Sequence, residues 1–99
     1  MDSFFFKIKA KLWMWQGKGA WHFVTITSSD AEVLVDQYIW PRKGFGSIPV
    51  TILIGKSSWK TSIFPEKGGS FLLPIKKSIR VAENLVEGKE VSFQIKVIN

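Results

Sequence analysis

The chain has 99 residues, 45% of them hydrophobic, with eight Phe, five Trp, no Cys, and 14 basic against 8 acidic side chains for a net charge of +6. That length suits one core, so a single domain over 1–99 is expected, large enough to fold on apolar burial alone. The missing cysteines exclude disulfide frameworks, zinc ribbons, thiol redox chemistry and cysteine nucleophiles.

No stretch approaches the roughly 20 apolar residues of a membrane span. The opening MDSFFFKIK lacks the charged and long apolar regions of a signal peptide, so a cytoplasmic protein with no membrane partner is expected. Lysine supplies 12 of the 14 bases. Lysine is a solvated point charge and guanidinium forks are scarce, so the charge predicts attraction to polyanions without sequence-specific reading.

FFFKIKAKLWMWQ alternates with period two. Phe4, Phe6, Ile8, Ala10, Leu12 and Met14 fall on one face and Lys7, Lys9, Lys11, Trp13 and Trp15 on the other, the pattern of a half-buried strand. After the turn GKG, AWHFVTI reads as a second strand, expected to pair with the first as a hairpin. SSDAEVLVDQYIW places Ala31, Leu34, Val35, Tyr38 and Ile39 on one helical face. Ser29 with Glu32 forms a capping box that starts this helix near Asp30, and Pro41 stops it.

The loop PRKGFG leads into SIPVTILIG, a strand with Ile48, Val50, Ile52 and Ile54 inward. SWKTSIF and SFLLPI are further strands, separated by the loop PEKGG. KKSIRVAEN predicts a short helix with Ile79 and Ala82 inward. VEGK turns the chain into EVSFQIKVI, a last strand with Val91, Phe93, Ile95 and Val97 on one face. The order splits into two copies of strand-strand-helix-strand. A closed or nearly closed, mainly β barrel of six strands with two short helices is expected, because closure hides the edges of so apolar a sheet.

GAWHFVTI, GFGSIPVTILIG, WKTSIFP, LLPIKKSIR and VEGKEVSFQIKV, in this order and spacing, resemble a prokaryotic family known as domain of unknown function nineteen-oh-five. The resemblance covers nearly the whole chain. It implies a double-split β-barrel, distantly similar to the AbrB and MazE swapped-hairpin barrels, and no established activity. Pro74, Arg80 and Gly88 match positions common in AbrB-like barrels, but two extra residues separate Pro74 from Arg80, and Lys89 stands where Asp is expected. Thr27 stands where family members often have Pro. AbrB-like chains each supply half a barrel and dimerise, whereas this chain holds both halves, so a monomer is expected, with a dimer as the alternative.

Catalytic chemistry finds little to work with. His22 is the single histidine and lacks the partners of a metal site or a nucleophilic triad. Its neighbours Trp21 and Phe23 read as packing. The acids fall on helices and loops: Asp30, Glu32 and Asp36 on the first helix, Glu83 on the second, Glu66, Glu87 and Glu90 near turns. None is paired across a cleft.

The expectation is a non-enzymatic binding or interaction module with no cofactor and no metal, its partner unknown. Two occupants compete. A small anionic ligand at the barrel mouth would use His22, Arg42, Trp59, Lys60, Thr61, Ser62 and Arg80, a mix of aromatic, hydroxyl and basic groups suited to a pocket. A nucleic acid would use the basic face Lys7, Lys9 and Lys11 with Trp13 and Trp15, helped by Arg42 and Lys43 of the glycine loop, lysines tracking phosphates and indoles stacking on bases.

Overall fold

The computed structural model describes residues 5–17, 19, 21–38 and 46–99. Strands β1 (Phe6–Lys11), β2 (Trp13–Met14) and β3 (His22–Ile26) precede helix α1 (Ser28–Gln37). Then come β4 (Ile48–Ile54), β5 (Ser57–Pro65), a 3-10 turn at Lys67–Gly69, β6 (Phe71–Pro74), helix α2 (Lys77–Ala82) and β7 (Glu90–Val97). Among the described residues there are therefore seven strands, not six. The extra one arises because the first long segment breaks at Leu12.

That break leaves the barrel nearly closed. The sheet order is β1-β7-β4-β5-β6-β3-β2, so β1 and β2 are its two edges, and they are consecutive in the chain. β1 pairs antiparallel with β7, from Phe6 opposite Ile95 to Lys11 opposite Glu90. Leu12 still bonds the turn before β7, donating to the Lys89 carbonyl at 3.0 Å and accepting from the Gly88 amide at 2.8 Å. One residue later β2 pairs with β3, Trp13 opposite Phe23 and Met14 opposite His22.

The expected hairpin between the first two strands is thus confined to its tip. Along its other edge β3 pairs with β6, from Phe23 opposite Pro74 to Ile26 opposite Phe71. The segment that exchanges partners is the first one, which leaves β7 for β3 at Leu12, as a strand bending from one side of a small barrel to the other must. β5 repeats the manoeuvre: Ser57–Ile63 pairs with β4, whereas Phe64 and Pro65 pair with Leu72 and Phe71 of β6. Each strand-strand-helix-strand half therefore contributes one long strand that crosses between the two sides.

Inside, the period-two pattern sets the core. Ile8, Leu12, Val24, Ile26, Ile48, Val50, Ile52, Ile63, Leu73 and Ile95 are all 5% exposed or less. Burying such side chains contributes about 1.5–3 kcal/mol each. Among the described residues no polar or charged residue is buried with them.

α1 adds Ala31 and Leu34 to this core, with Val35 and Tyr38 packed against it. The helix begins earlier than the Ser29–Glu32 box suggests. Thr27 is the N-cap, its hydroxyl accepting from the Asp30 amide at 3.4 Å. A cap right after Ile26 lets the helix leave the strand without a loop. The helix ends at Gln37, with Tyr38 as C-cap; Phe4, Ile39 and Pro41 lie outside the described residues.

α2 buries Ile79 but leaves Ala82 exposed, contrary to the helical-face reading. Its end explains this. Asn84 adopts φ 54°, Leu85 N donates to the Arg80 carbonyl and Asn84 N to the Val81 carbonyl, the paired bonds of a Schellman cap. The cap turns Leu85 back on the core, so Leu85 takes the place that Ala82 was expected to fill.

Candidate functional site

Sheet alternation that sends apolar residues inward sends the opposite set outward, and here the outward set divides into two chemistries. Along β1 the exposed side chains are Lys7, Lys9 and Lys11, spaced about 6.6 Å apart by strand geometry. They form no ion pair among the described residues. Lys7 stands opposite Gln94 and Lys9 opposite Ser92. These four, with Leu53 and Gly55, border a shallow groove of about 570 Å³. Lys96 and Lys60 flank Thr51 from β7 and β5 in the same layer, and Lys96 lies 5.6 Å from the centre of the Phe5 ring.

Past Leu12 the same strand face turns aromatic. Trp13 and Trp15 of the first segment, Trp21 and Phe23 of the second, and Leu72, Pro74 and Phe64 beyond them line a second groove of about 540 Å³. Register sets the rows: Trp13, Phe23 and Pro74 in one, Thr25, Leu72 and Phe64 in the next. Trp15 N donates to the Trp21 carbonyl at 2.8 Å and extends the pairing one step.

The rings are held rather than loose. Trp13 Nε1 donates to Thr25 Oγ1 at 2.9 Å, the Trp13 and Phe23 centroids are 5.2 Å apart, and Trp21 stacks on Phe23 at 6.3 Å with 14° between planes. Even so, Trp21 is 55%, Trp15 50% and Phe64 43% exposed. Exposed aromatics gathered in one patch mark a contact surface more than a packing solution. This corrects the reading of Trp21 as packing: among the described residues no element lies over the outer face of β3 to bury its indole.

Among the described residues, one ionisable side chain lines the aromatic groove, Glu66. Its amide donates to the Ser70 carbonyl at 2.9 Å and its Oε1 accepts from the Ser70 hydroxyl at 3.1 Å, bracing the carboxylate across the 3-10 turn.

The small-ligand candidates are distributed differently. Trp59 and Thr61 share the inward face of β5, opposite Ile52 and Val50, while Lys60 and Ser62 point outward opposite Thr51 and Pro49. His22 is half-buried opposite Met14, its carbonyl accepting from the Ile75 amide at 2.9 Å. Arg80 lies on α2 with its Nε donating to the Ile75 carbonyl at 3.3 Å. Arg42 and Lys43 lie outside the described residues.

Of the nucleic-acid candidates, Lys7, Lys9 and Lys11 lie on the outward side of β1, and Trp13 and Trp15 follow in the same period-two phase beyond the Leu12 break. Sequence reasoning omitted Trp21, Phe23, Phe64, Leu72, Pro74 and Glu66 from that set. The available signal was strand phase, which already placed Trp21 and Phe23 opposite the buried Val24 and Ile26. Among the described residues no group of three or more His, Asp or Glu is placed to hold a metal ion, and no helix is long and apolar enough to cross a membrane.

The family model described as Domain of unknown function (DUF1905) matches residues 8–95. The chain belongs to this family. No curated protein and no solved structure matches it. The DUF1905 match runs from Ile8 to Ile95, two residues that lie on the paired strands β1 and β7. It spans both grooves apart from the Lys7 and Lys96 ends of the basic layer.

Proposed function

We propose that this DUF1905 domain is a non-enzymatic binding module for single-stranded nucleic acid. The observation that carries the reading is the outward phase of the first segment, in which Lys7, Lys9 and Lys11 of β1 are followed across the Leu12 break by Trp13 and Trp15 of the aromatic groove. Exposed ammonium groups at regular spacing suit a phosphate backbone, and exposed indoles offer stacking platforms to unpaired bases. A duplex keeps its bases stacked and cannot present their faces to Trp15 and Trp21. The net charge of +6 favours a polyanion over a cationic or acid-seeking partner.

The face from Lys7 to Trp15 covers about 27 Å at strand rise, room for only a few nucleotides and so at the short end of single-barrel footprints. A soluble cytoplasmic monomer is the form this reading assumes, since the absence of cysteine suits a reducing compartment. The two long strands that each leave one side of the barrel for the other support the double-split description, and with it the distant kinship to AbrB and MazE-like barrels. The small-anion reading has less behind it, because Trp59 and Thr61 face inward and Lys60 and Ser62 outward.

Fluorescence polarisation with labelled single strands and the corresponding duplex tests the proposal. Binding of the single strand that weakens steeply with salt is expected, together with quenching of tryptophan emission. No binding at low ionic strength, or a preference for duplex, defeats it.

A further inference from the structure

A groove walled by rings yet braced around one carboxylate is selective about what it admits. Its walls call for a flat, apolar-faced occupant. Glu66 accepts hydrogen bonds and donates none, and its Oε2 makes none among the described residues, leaving it open to a ligand. An occupant that presents acceptors to that carboxylate leaves like charges facing each other. One that presents donors in parallel gains charge-assisted bonds.

From this we infer that the aromatic groove takes a guanine base of the bound strand, stacked on the Trp21 and Trp15 indoles with its Watson–Crick edge donating N1–H and N2–H to the Glu66 carboxylate. The inference rests on the single-strand reading and adds a base preference to it.

The other bases fit less well for a chemical reason. Adenine and cytosine each place a ring-nitrogen acceptor beside their amino donor on that edge. Thymine and uracil offer one N–H flanked by two carbonyls. Guanine alone has two adjacent donors there, matching the two oxygens of a carboxylate as a guanidinium does. A cationic group held by the rings is the competing occupant, but the net charge of +6 and Lys11, two residues before Trp13 in the chain, disfavour it.

Binding of thymidine-rich single strands with one central thymine, guanine, inosine, adenine or cytosine decides the matter, with wild type and Glu66→Gln compared. The guanine strand is expected to bind about ten-fold or more tighter than the thymine strand, in line with a bidentate base contact. Inosine, which lacks the 2-amino group, should lose most of that gain, and Glu66→Gln should bring the guanine-to-thymine ratio close to one.

Equal affinity for all five strands would overturn the guanine assignment and leave the single-strand reading standing; no binding of any strand at low salt would overturn both. Guanosine monophosphate saturating the groove as tightly as the guanine strand, or displacement of that strand by tetramethylammonium, would also overturn the inference, the first by making the ligand a free nucleotide and the second a cation. Circular dichroism and tryptophan emission of Glu66→Gln matching wild type keep a folding defect from being read as a lost contact.

Discussion

Trp13 donates its indole N–H to the hydroxyl of Thr25 at 2.9 Å, one step diagonally across from its register partner Phe23. The bond fixes the plane of the ring against Phe23 and so sets one wall of the aromatic groove. Thr25→Val keeps the shape and removes the acceptor, leaving a part-buried donor unpaired. A loss of about 1 kcal/mol in urea unfolding is expected, and Thr25→Ser should recover most of it. Equal stability of the valine and serine proteins would show that the hydrogen bond contributes nothing to the fold.

What the sequence made legible follows from how sheets bury side chains. A strand facing a core must alternate, so periodicity alone points Ile48, Val50, Ile52 and Ile54, and likewise Val91, Phe93, Ile95 and Val97, inward, and all eight are buried. Partner choice is not written in alternation. Nothing in KAKLWMW marks Leu12 as the residue where one strand changes neighbours, because its apolar phase is unbroken through the corner.

Exposure of the outer face was equally hidden. Trp21 is large enough that burial was the economical reading, and whether a helix covers a face depends on where α1 and α2 pack. Thr27 and Leu85 were missed for a local reason: caps are decided by backbone conformation at single residues, where several hydroxyl or apolar neighbours compete.

Leu12, 1% exposed, is the side chain at which the ring of strands closes. Leu12→Ala should cost about 2–5 kcal/mol, as a buried leucine truncated where its surroundings cannot collapse. The damage should be local in its dynamics as well. Hydrogen exchange at Trp13 and Trp15 is expected to accelerate more than at Ile52, since β2 has only a two-residue ladder to hold it. Uniform acceleration across all strands would show that the corner is no weaker than the rest of the barrel.

Gly55 and Glu83 are coupled across the β4–β5 turn. Gly55 has φ 56°, and a Cβ there would run into the Glu83 carboxylate, which accepts from Ser57 Oγ at 2.6 Å. Gly55→Ala should cost about 1–2 kcal/mol from backbone conformation alone, and more from displacing Glu83. Ser57→Ala should cost about 1.5–3 kcal/mol as a lost bond to a charged group. Because both act through one carboxylate, the double variant is expected to lose less than the sum of the single losses. Strict additivity in chemical denaturation would mean that Glu83 keeps its place when alanine occupies position 55.

The two chemistries on the β1–β2 face should separate in binding measurements. Replacing Lys7, Lys9 and Lys11 together by Gln removes three phosphate-seeking charges and should flatten the slope of log affinity against log salt by about 2, at roughly 0.7 per charge on a single strand. Trp15→Ala and Trp21→Ala should each weaken binding by about 1–3 kcal/mol through lost stacking while leaving that slope unchanged, because an indole displaces no counterions. Both side chains are at least half exposed, so these substitutions should barely move the unfolding midpoint, and a loss of affinity would report on contact with the ligand. A slope that falls with the tryptophans, or stays constant without the lysines, would assign the strand to some other face of the barrel.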